Sequence, residues 1–225
     1  MNVLAVVAHP DDEILGCGAT LLRLRNEGHR VFTVVLCSHA DARVDRPDDL
    51  SRWAAESAAM VGIEESSLCE FPNIRFNTVP HIEMVKKIEE AIERFRPDWV
   101  FTHHPSDLNV DHRVCYEATM AACLLPQRLT RDLPVTMIRR IWLFEVMSST
   151  DWAPSSGPLF QPNAWIDVSS TFDRKLEALA HFRGAMKPFP HSRSIENVRH
   201  LAHVRGAQVG IELAEAFVVV RELMA

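Results

Sequence analysis

The chain has 225 residues, of which 47% are hydrophobic and 24% charged, and its formal net charge is −6 at pH 7. These values are typical of one globular domain, so we expect a single domain over residues 1–225. The negative charge argues against nucleic-acid binding, and no apolar run is long enough to predict a membrane span. Because no signal peptide is recognisable, we predict a cytoplasmic protein.

The first half of the chain alternates between strand and helix patterns. Short β-branched runs predict buried strands, and apolar residues spaced three and four apart predict helices. In order, the predicted elements are a strand at 2–8, a helix at 19–27, a strand at 31–37, a loop at 38–49, a helix at 50–61, a strand at 68–71, a helix at 80–95 and a strand at 99–103.

The second half continues the alternation. The predicted elements are a helix at 111–125, a strand at 139–146, a Pro/Ser/Gly-rich loop at 148–163, a helix near 171–183, a loop at 188–191, a helix near 195–209 and a strand at 216–221. This order predicts an α/β fold with a mostly parallel sheet and helices on both faces. Apolar residues within 126–163 would suit a subunit contact, so a homo-oligomer is left open.

The cysteines do not form a disulfide pattern. Their number is odd and no Cys-x-x-Cys pair occurs, which favours reduced thiols in the core. They are Cys17, Cys37, Cys69, Cys115 and Cys123.

Two polar clusters follow predicted strands. AHPDDE (8–13) follows the first strand, and HHPSDLNVDH (103–112) follows the strand at 99–103. Because the carboxyl ends of parallel strands meet at one edge of a sheet, we expect the two clusters to lie together. Closely placed carboxylates at the end of a buried strand need a compensating charge, which a divalent cation supplies. The competing interpretation is a simple His-Pro turn with an aspartate that caps the next helix.

The expected ligands are His9, one of the two adjacent aspartates Asp11 and Asp12, and His112, and the other aspartate would face a water on the metal. Two histidines and one carboxylate leave an open position for water, as a hydrolytic zinc site requires.

At these motifs the chain resembles the LmbE-like, PIG-L-type N-acetylglucosaminyl deacetylase family. AHPDDE and the Asp-His pair at 111–112 match its two motifs. Further segments are similar to a branch often associated with polysaccharide biosynthesis. They are FPNIRF (71–76), RPDWVFTHHPSDLNVDH (96–112), PHSRS (190–194) and RGAQVGIELAEAF (205–217).

The resemblance implies a Rossmann-like fold and a zinc-dependent amidase that removes an N-acetyl or other N-acyl group from an amino sugar. It implies that His9, Asp12 and His112 bind the metal and that Asp11 is the general base for a metal-bound water. Zinc is the expected ion, with another divalent metal such as Fe²⁺ as the alternative. The small-molecule substrate could be a free sugar or one linked to a nucleotide or lipid.

One position departs from the commoner family pattern. Many members carry a histidine that helps to stabilise the oxyanion where this chain has Asn109, so that role cannot be transferred unchanged. We expect Asp111 to orient a histidine from the C-terminal half. His191 is the first choice, although a surface histidine is the competing interpretation, and His203 is the weaker candidate.

Three polar residues are candidate substrate-binding groups. Asn73 and Arg75 follow a predicted strand end, and Arg193 lies in the PHSRS motif. A guanidinium suits hydroxyl groups or a phosphate, and a surface salt bridge is the competing interpretation. Two alternative functions stay open: an amidase of the same type that acts on an antibiotic or thiol precursor, and a catalytically retired sugar-binding protein.

Overall fold

The computed structural model describes residues 1–38, 50–124, 137–153, 157–182 and 186–224. The strands are β1 (Asn2–Val7), β2 (Arg30–Val35), β3 (Glu65–Leu68), β4 (Trp99–His103), β5 (Arg140–Phe144), β6 (Ala164–Asp167) and β7 (Ala214–Glu222). The helices are α1 (Asp12–Asn26), α2 (Leu50–Met60), α3 (His81–Phe95), α4 (Val110–Leu124), α5 (Phe172–His181) and α6 (Ile195–Ala207). Short 3-10 turns cover Phe76–Thr78 and Thr150–Trp152.

The strands form one sheet in the order β3-β2-β1-β4-β5-β7-β6. Strands β1 to β5 are parallel to one another, whereas β7 is antiparallel to both β5 and β6. The chain builds outward from β1 to β3 and then returns to add β4 on the other side of β1. This reversal opens a crevice beyond the carboxyl ends of β1 and β4, which is where ligands bind in such sheets.

The core lies on both faces of the sheet, and β1 contributes to each. Val3, Ala5 and Val7 pack on the face covered by α1, α2, α5 and α6. The alternate residues Leu4 and Val6 pack on the opposite face, against α3 and α4. Because both faces are buried, the strand is apolar throughout rather than alternating. The predicted α/β fold with helices on both faces is confirmed.

Several element boundaries differ from the prediction. Helix α1 begins at Asp12 rather than at residue 19, and it includes Gly16 and Gly18. Strand β3 is polar and partly exposed, so its apolar pattern was weak and the predicted strand overlaps it only at Leu68. Strand β6 lies just beyond the predicted 148–163 loop and was not anticipated.

The predicted loop at 38–49 falls almost entirely outside the described residues, as do residues 126–136 and 154–156 of the 126–163 segment that was considered for a subunit contact. All five cysteines are buried and none forms a disulfide, in agreement with the prediction. Within the described part of the chain, no helix combines the length and apolarity needed to cross a membrane.

Candidate metal and catalytic site

The two polar clusters meet beyond the carboxyl ends of β1 and β4. His9 and Asp12 follow β1, while His112 lies in the first turn of α4. Both ring nitrogens of His9 and both of His112 approach carboxylate groups. The sheet topology therefore assembles the three predicted ligands, although His112 lies 100 positions beyond Asp12 in the chain.

His9 is held between two carboxylates. Its Nε2 lies 3.0 Å from Oδ2 of Asp111, and its Nδ1 lies 3.3 Å from Oδ2 of Asp12. Asp111 is fully buried and also accepts hydrogen bonds from the backbone N–H groups of Ile74, at 2.5 Å, and Phe76, at 3.0 Å. With a cation bound, Nε2–H would donate to the Asp111 carboxylate, and Nδ1 would keep its lone pair for the cation.

His112 also lies between two carboxylates, but here it is Nε2, and not Nδ1, that faces Asp12. Its Nδ1 lies 3.1 Å from Oδ2 of Asp107, and its Nε2 lies 3.3 Å from Oδ2 of Asp12. Asp107 accepts hydrogen bonds from the hydroxyl groups of Ser149 and Thr150 in the loop after β5, the latter at 2.8 Å. Asp107 therefore orients His112 so that Nε2 faces Asp12.

These supporting residues were not predicted. Asp107 belongs to the second polar cluster, and a search for a carboxylate partner for each histidine of that cluster could have found it. Ser149 and Thr150 had no comparable pattern, since they lie in a loop whose position depends on the fold.

The three predicted ligands fit a divalent cation. Their donor atoms lie within 4.8 Å of one another. Asp12 Oδ1 and His112 Nε2 are buried and have no hydrogen-bond partner among the described residues. Buried polar atoms without partners are costly, and a cation between them would satisfy both. Two imidazoles and a carboxylate match the donor set of catalytic zinc sites.

The electrostatics of the site also favour a cation. Burial works against the charged forms, but the carboxylates of Asp12 and Asp107 outweigh it and raise the pKa of His112 to about 10. Burial also opposes the ionised form of Asp12, yet contact with His112 outweighs it and holds the pKa of Asp12 well below its usual range. Against the same effect of burial, the hydrogen bond and charge of His112 lower the pKa of Asp107 to about 2. The site is thus built to hold positive charge among carboxylates.

A second group of potential ligands, His103, Asp107 and His112, fits a cation less well. His103 Nε2 accepts the backbone N–H of Ala8 at 3.0 Å, and the Asp107 oxygens already accept several hydrogen bonds. Burial, together with the neighbouring His112, lowers the pKa of His103 to about 3 and keeps its ring neutral. That ring stacks on His112 with centroids 4.0 Å apart, so we assign this group a supporting role.

Asp11 lies beside the ligands with its backbone in the left-handed region, at φ 100°. It is 5% exposed, and its Oδ2 lies 3.3 Å from Nη1 of Arg193. The predicted base therefore lies next to Asp12, and Arg193 of the PHSRS motif contacts its carboxylate.

Glu13, the last residue of AHPDDE, is also buried and was not given a role. Its Oε2 has no hydrogen-bond partner among the described residues. Burial, reinforced by the nearby carboxylates of Asp11 and Asp12, raises the pKa of Glu13 to about 8. It is therefore a largely neutral acid at neutral pH, which limits the negative charge on this turn.

Asn109 caps helix α4. Its side-chain Oδ1 accepts the backbone N–H of Asp111 at 3.0 Å, and its backbone N–H donates to Oδ1 of Asp107 at 2.8 Å. The side-chain oxygen thus stabilises the helix start that carries the Asp-His pair, as N-cap residues do.

The remaining candidates lie at the periphery. Asn73 is half-buried and Arg75 is exposed, and they flank Ile74, whose backbone binds Asp111. His191 is exposed, and its Nδ1 accepts the backbone N–H of Arg193 at 3.0 Å. The described contacts of Asp111 include none with His191. His203 is exposed on α6, with Nδ1 3.2 Å from the Glu212 carbonyl oxygen.

Fold and site together define an α/β protein with a buried two-histidine, one-carboxylate site of the type that hydrolytic metalloenzymes use. The model of the PIG-L family, described as GlcNAc-PI de-N-acetylase, matches residues 4–123, which is more than half of the chain. The chain belongs to this family.

A curated relative and several solved structures are also similar. The uncharacterized deacetylase YaiS of Escherichia coli strain K12 is 33% identical over 146 residues, which cover 61% of this chain and 76% of the relative. The conserved protein TT1542 of Thermus thermophilus has a TM-score of 0.80 at 24% identity, covering 99% of this chain and 96% of its own.

Two enzymes with different activities share the fold. The N,N'-diacetylchitobiose deacetylase of Pyrococcus horikoshii has a TM-score of 0.74 at 21% identity and covers 98% of this chain and 84% of its own. The 4-carboxy-2-hydroxymuconate hydratase GalB of Pseudomonas putida KT2440 has a TM-score of 0.79 at 18% identity and covers 100% and 98%. The fold is therefore shared by a deacetylase and a hydratase, and the activity must be inferred from the site and the family.

Proposed function

We propose that this protein is a zinc-dependent deacetylase that removes an N-acetyl, or another N-acyl, group from an amino sugar or an amino-sugar conjugate. The observation that carries the proposal is the ligand set next to Asp11, in which two buried atoms, Asp12 Oδ1 and His112 Nε2, lack hydrogen-bond partners among the described residues. The family and the deacetylases among the similar proteins support it.

The residues of the site would divide the chemistry among them. His9, Asp12 and His112 would hold the cation, which supplies Lewis-acid polarisation and lowers the pKa of water. Asp11 would take a proton from the water that attacks the amide carbon, and it would return that proton to the nitrogen as the C–N bond breaks. The products would be a carboxylic acid and the free amine. Fe²⁺ is a second candidate ion, because the same donors accept it.

The rim of the site would bind the substrate. The half-buried Asn73 and the exposed Arg75 are placed to donate hydrogen bonds to sugar hydroxyl groups, and Arg75 could pair with a phosphate of a nucleotide or lipid carrier. For the oxyanion we propose the side-chain amide of Asn109 or the His191 ring as donors beside the cation. A cytoplasmic role in polysaccharide biosynthesis, as a monomer or homo-oligomer, completes the proposal.

A screen for amine release tests this function. The zinc-loaded protein would be incubated with N-acetylated amino sugars and their nucleotide conjugates, with and without a chelator. We expect acetate and amine in equal amounts, and we expect the chelator to abolish both. The variant D11N should keep its zinc and lose at least about 10²-fold in rate, whereas the control D173N, at an exposed carboxylate, should match the wild type.

The other candidate functions give different results. Amine release from acylated thiol or antibiotic precursors alone would favour the second amidase, and sugar binding without turnover would favour the retired protein. Water addition to an unsaturated acid would favour a hydratase, which the similarity to GalB makes a concrete alternative. Near-normal turnover by D11N would overturn the role of Asp11.

A further inference from the structure

Arg193 connects three separate loops at the site. It lies between α5 and α6, and its Nη1 is 3.3 Å from Oδ2 of Asp11 in the loop after β1. Its Nε donates to Oγ of Ser148, in the loop after β5, at 2.8 Å. Its backbone N–H donates to Nδ1 of His191 at 3.0 Å. One side chain therefore attaches the PHSRS motif to both loops that surround the ligands.

The ion pair between Arg193 and Asp11 is largely shielded from water. The exposed fraction is 23% for the arginine side chain and 7% for the aspartate. A pair at this depth is screened less than a surface pair, so its attraction restrains both groups. The contact is therefore of a different kind from the exposed ion pairs on the outer helices, such as that between Arg199 and Asp173.

The backbone on both sides of the guanidinium is in an unfavourable conformation. Asp11 has φ 100° and Ser148 has φ 67°, and neither is glycine. Such residues persist only where the surrounding contacts hold them, and they occur preferentially at functional sites. Arg193 provides one such contact to each of the two turns.

We propose that Arg193 is a positioning residue, which holds the Asp11 carboxylate in the direction that a general base needs. A free aspartate side chain next to a bound dication is attracted to it and can turn to become an additional ligand. The guanidinium of Arg193 opposes this rotation because its own positive charge attracts the Asp11 carboxylate. This role rests on the proposed function, and it differs from the substrate contact expected from the PHSRS motif.

The kinetic test uses R193A, R193K and the control R199A. The control removes an exposed arginine on α6, the helix that follows Arg193. We expect R193A to lower kcat on the order of 10²-fold with little change in KM, since misplacing a catalytic group has an effect of this size. R193K should recover part of the loss, and added guanidinium ion should partly restore R193A. R199A should match the wild type, and R193A should cost nothing further in D11N.

A second measurement does not depend on turnover. Urea unfolding midpoints and zinc contents would be compared for the wild type, D11N, R193A and the double variant. We expect R193A to shift the midpoint more in the wild-type background than in D11N, while all four proteins keep their zinc. The difference between the two shifts reports the ion pair itself.

The outcomes separate the two proposals. A raised KM with unchanged kcat, or equal midpoint shifts in both backgrounds, would overturn the positioning role while leaving the deacetylase activity intact. Coupled midpoints in a protein that releases no amine would instead overturn the proposed function, and the pair would then be structural.

Discussion

Asp111 Oδ2 lies 3.0 Å from His9 Nε2, so the second polar cluster orients a candidate metal ligand of the first. Asp107 does the same for His112 at 3.1 Å. Two carboxylate–histidine pairs thus flank Asp12, and each leaves one ring nitrogen directed at it. Such outer carboxylates fix the ring and its tautomer, and they increase the basicity of the ligating nitrogen.

Replacing Asp111 with Asn should therefore weaken zinc binding about 10- to 100-fold. An amide keeps one oxygen, but it cannot accept from His9, Ile74 and Phe76 with the charge of a carboxylate. The affinity would be measured by competition with a chromogenic chelator, with D173N as the control. An unchanged affinity in D111N would show that His9 does not need this partner.

The sequence predicts the ligands better than it predicts their supports. His9 and Asp12 follow a recognisable buried strand, and His112 follows another, so local patterns suffice to place them at one edge. The contact between Asp111 and His9 joins residues 102 positions apart, and it depends on the register of β4 against β1. No local pattern contains that information.

The same reason accounts for the errors in the elements. A buried helix can contain glycines in its first turns when a large side chain from a strand fills the space beside them, as Phe144 does for Gly16. The ring that fills this space lies about 130 positions away in the chain. The sequence pattern therefore predicted a helix only from residue 19, whereas packing produces a helix from Asp12.

The unfolding free energy of the metal-free protein should depend on pH in both directions. Asp107 has its pKa lowered from 3.8 to about 2, so its contribution is present above pH 3.8 and is lost as the pH falls toward 2. His112 has its pKa raised from 6.5 to about 10, so its contribution is complete below pH 6.5 and is lost as the pH rises through 10. The maximum should lie between these limits.

Urea unfolding of the metal-free protein over this range would check the dependence. Zinc should flatten the alkaline side, because the cation takes the place of the His112 proton, and zinc affinity should rise with pH. H112Q should lose only the part of the alkaline decline that is due to His112, because the buried Glu13, whose pKa is raised from 4.5 to about 8, also lowers stability as the pH rises to 8. A metal-free protein whose stability is the same at about pH 6 and about pH 9 would contradict the expected charge on His112.

Lys175 should be essential for stability although it lies outside the metal site. Its Nζ donates to the Leu15 carbonyl oxygen at 2.7 Å and to Glu215 at 2.6 Å, and the side chains of Lys175 and Glu215 are 4% and 5% exposed. K175M would leave Glu215 buried without its cation, and we expect it to lower the unfolding free energy by about 3–5 kcal/mol.

The control is K87M, which removes an exposed ion pair with Glu90 and should leave the unfolding midpoint in urea close to that of the wild type. The double variant K175M/E215Q should recover part of the loss, since it removes both buried charges while the amide oxygen can still accept from the backbone N–H groups of Ala19 and Thr20. If K175M and K87M have equal unfolding midpoints in urea, the buried pair contributes nothing.

Gly16 should tolerate no side chain, because a Cβ there would overlap the Phe144 ring. G16A would force α1 away from β5, with a cost of about 1–3 kcal/mol or more in unfolding free energy. Since α1 begins at the ligand Asp12 and Phe144 packs against His103 with ring centroids 5.0 Å apart, we expect zinc affinity to fall as well.

G18A is the matched control, because a Cβ at Gly18 would lie 3.2 Å from Cγ2 of Ile14, whose side chain can adjust. G16A/F144L should regain part of both the stability and the zinc affinity, as the smaller side chain makes room for the methyl group. Alanine favours a helix more than glycine does, so helix propensity cannot cause a loss in G16A. Coupling between the two substitutions would show that the overlap of the added methyl group with the Phe144 ring causes the loss. Additive effects would contradict this role of the Gly16–Phe144 contact.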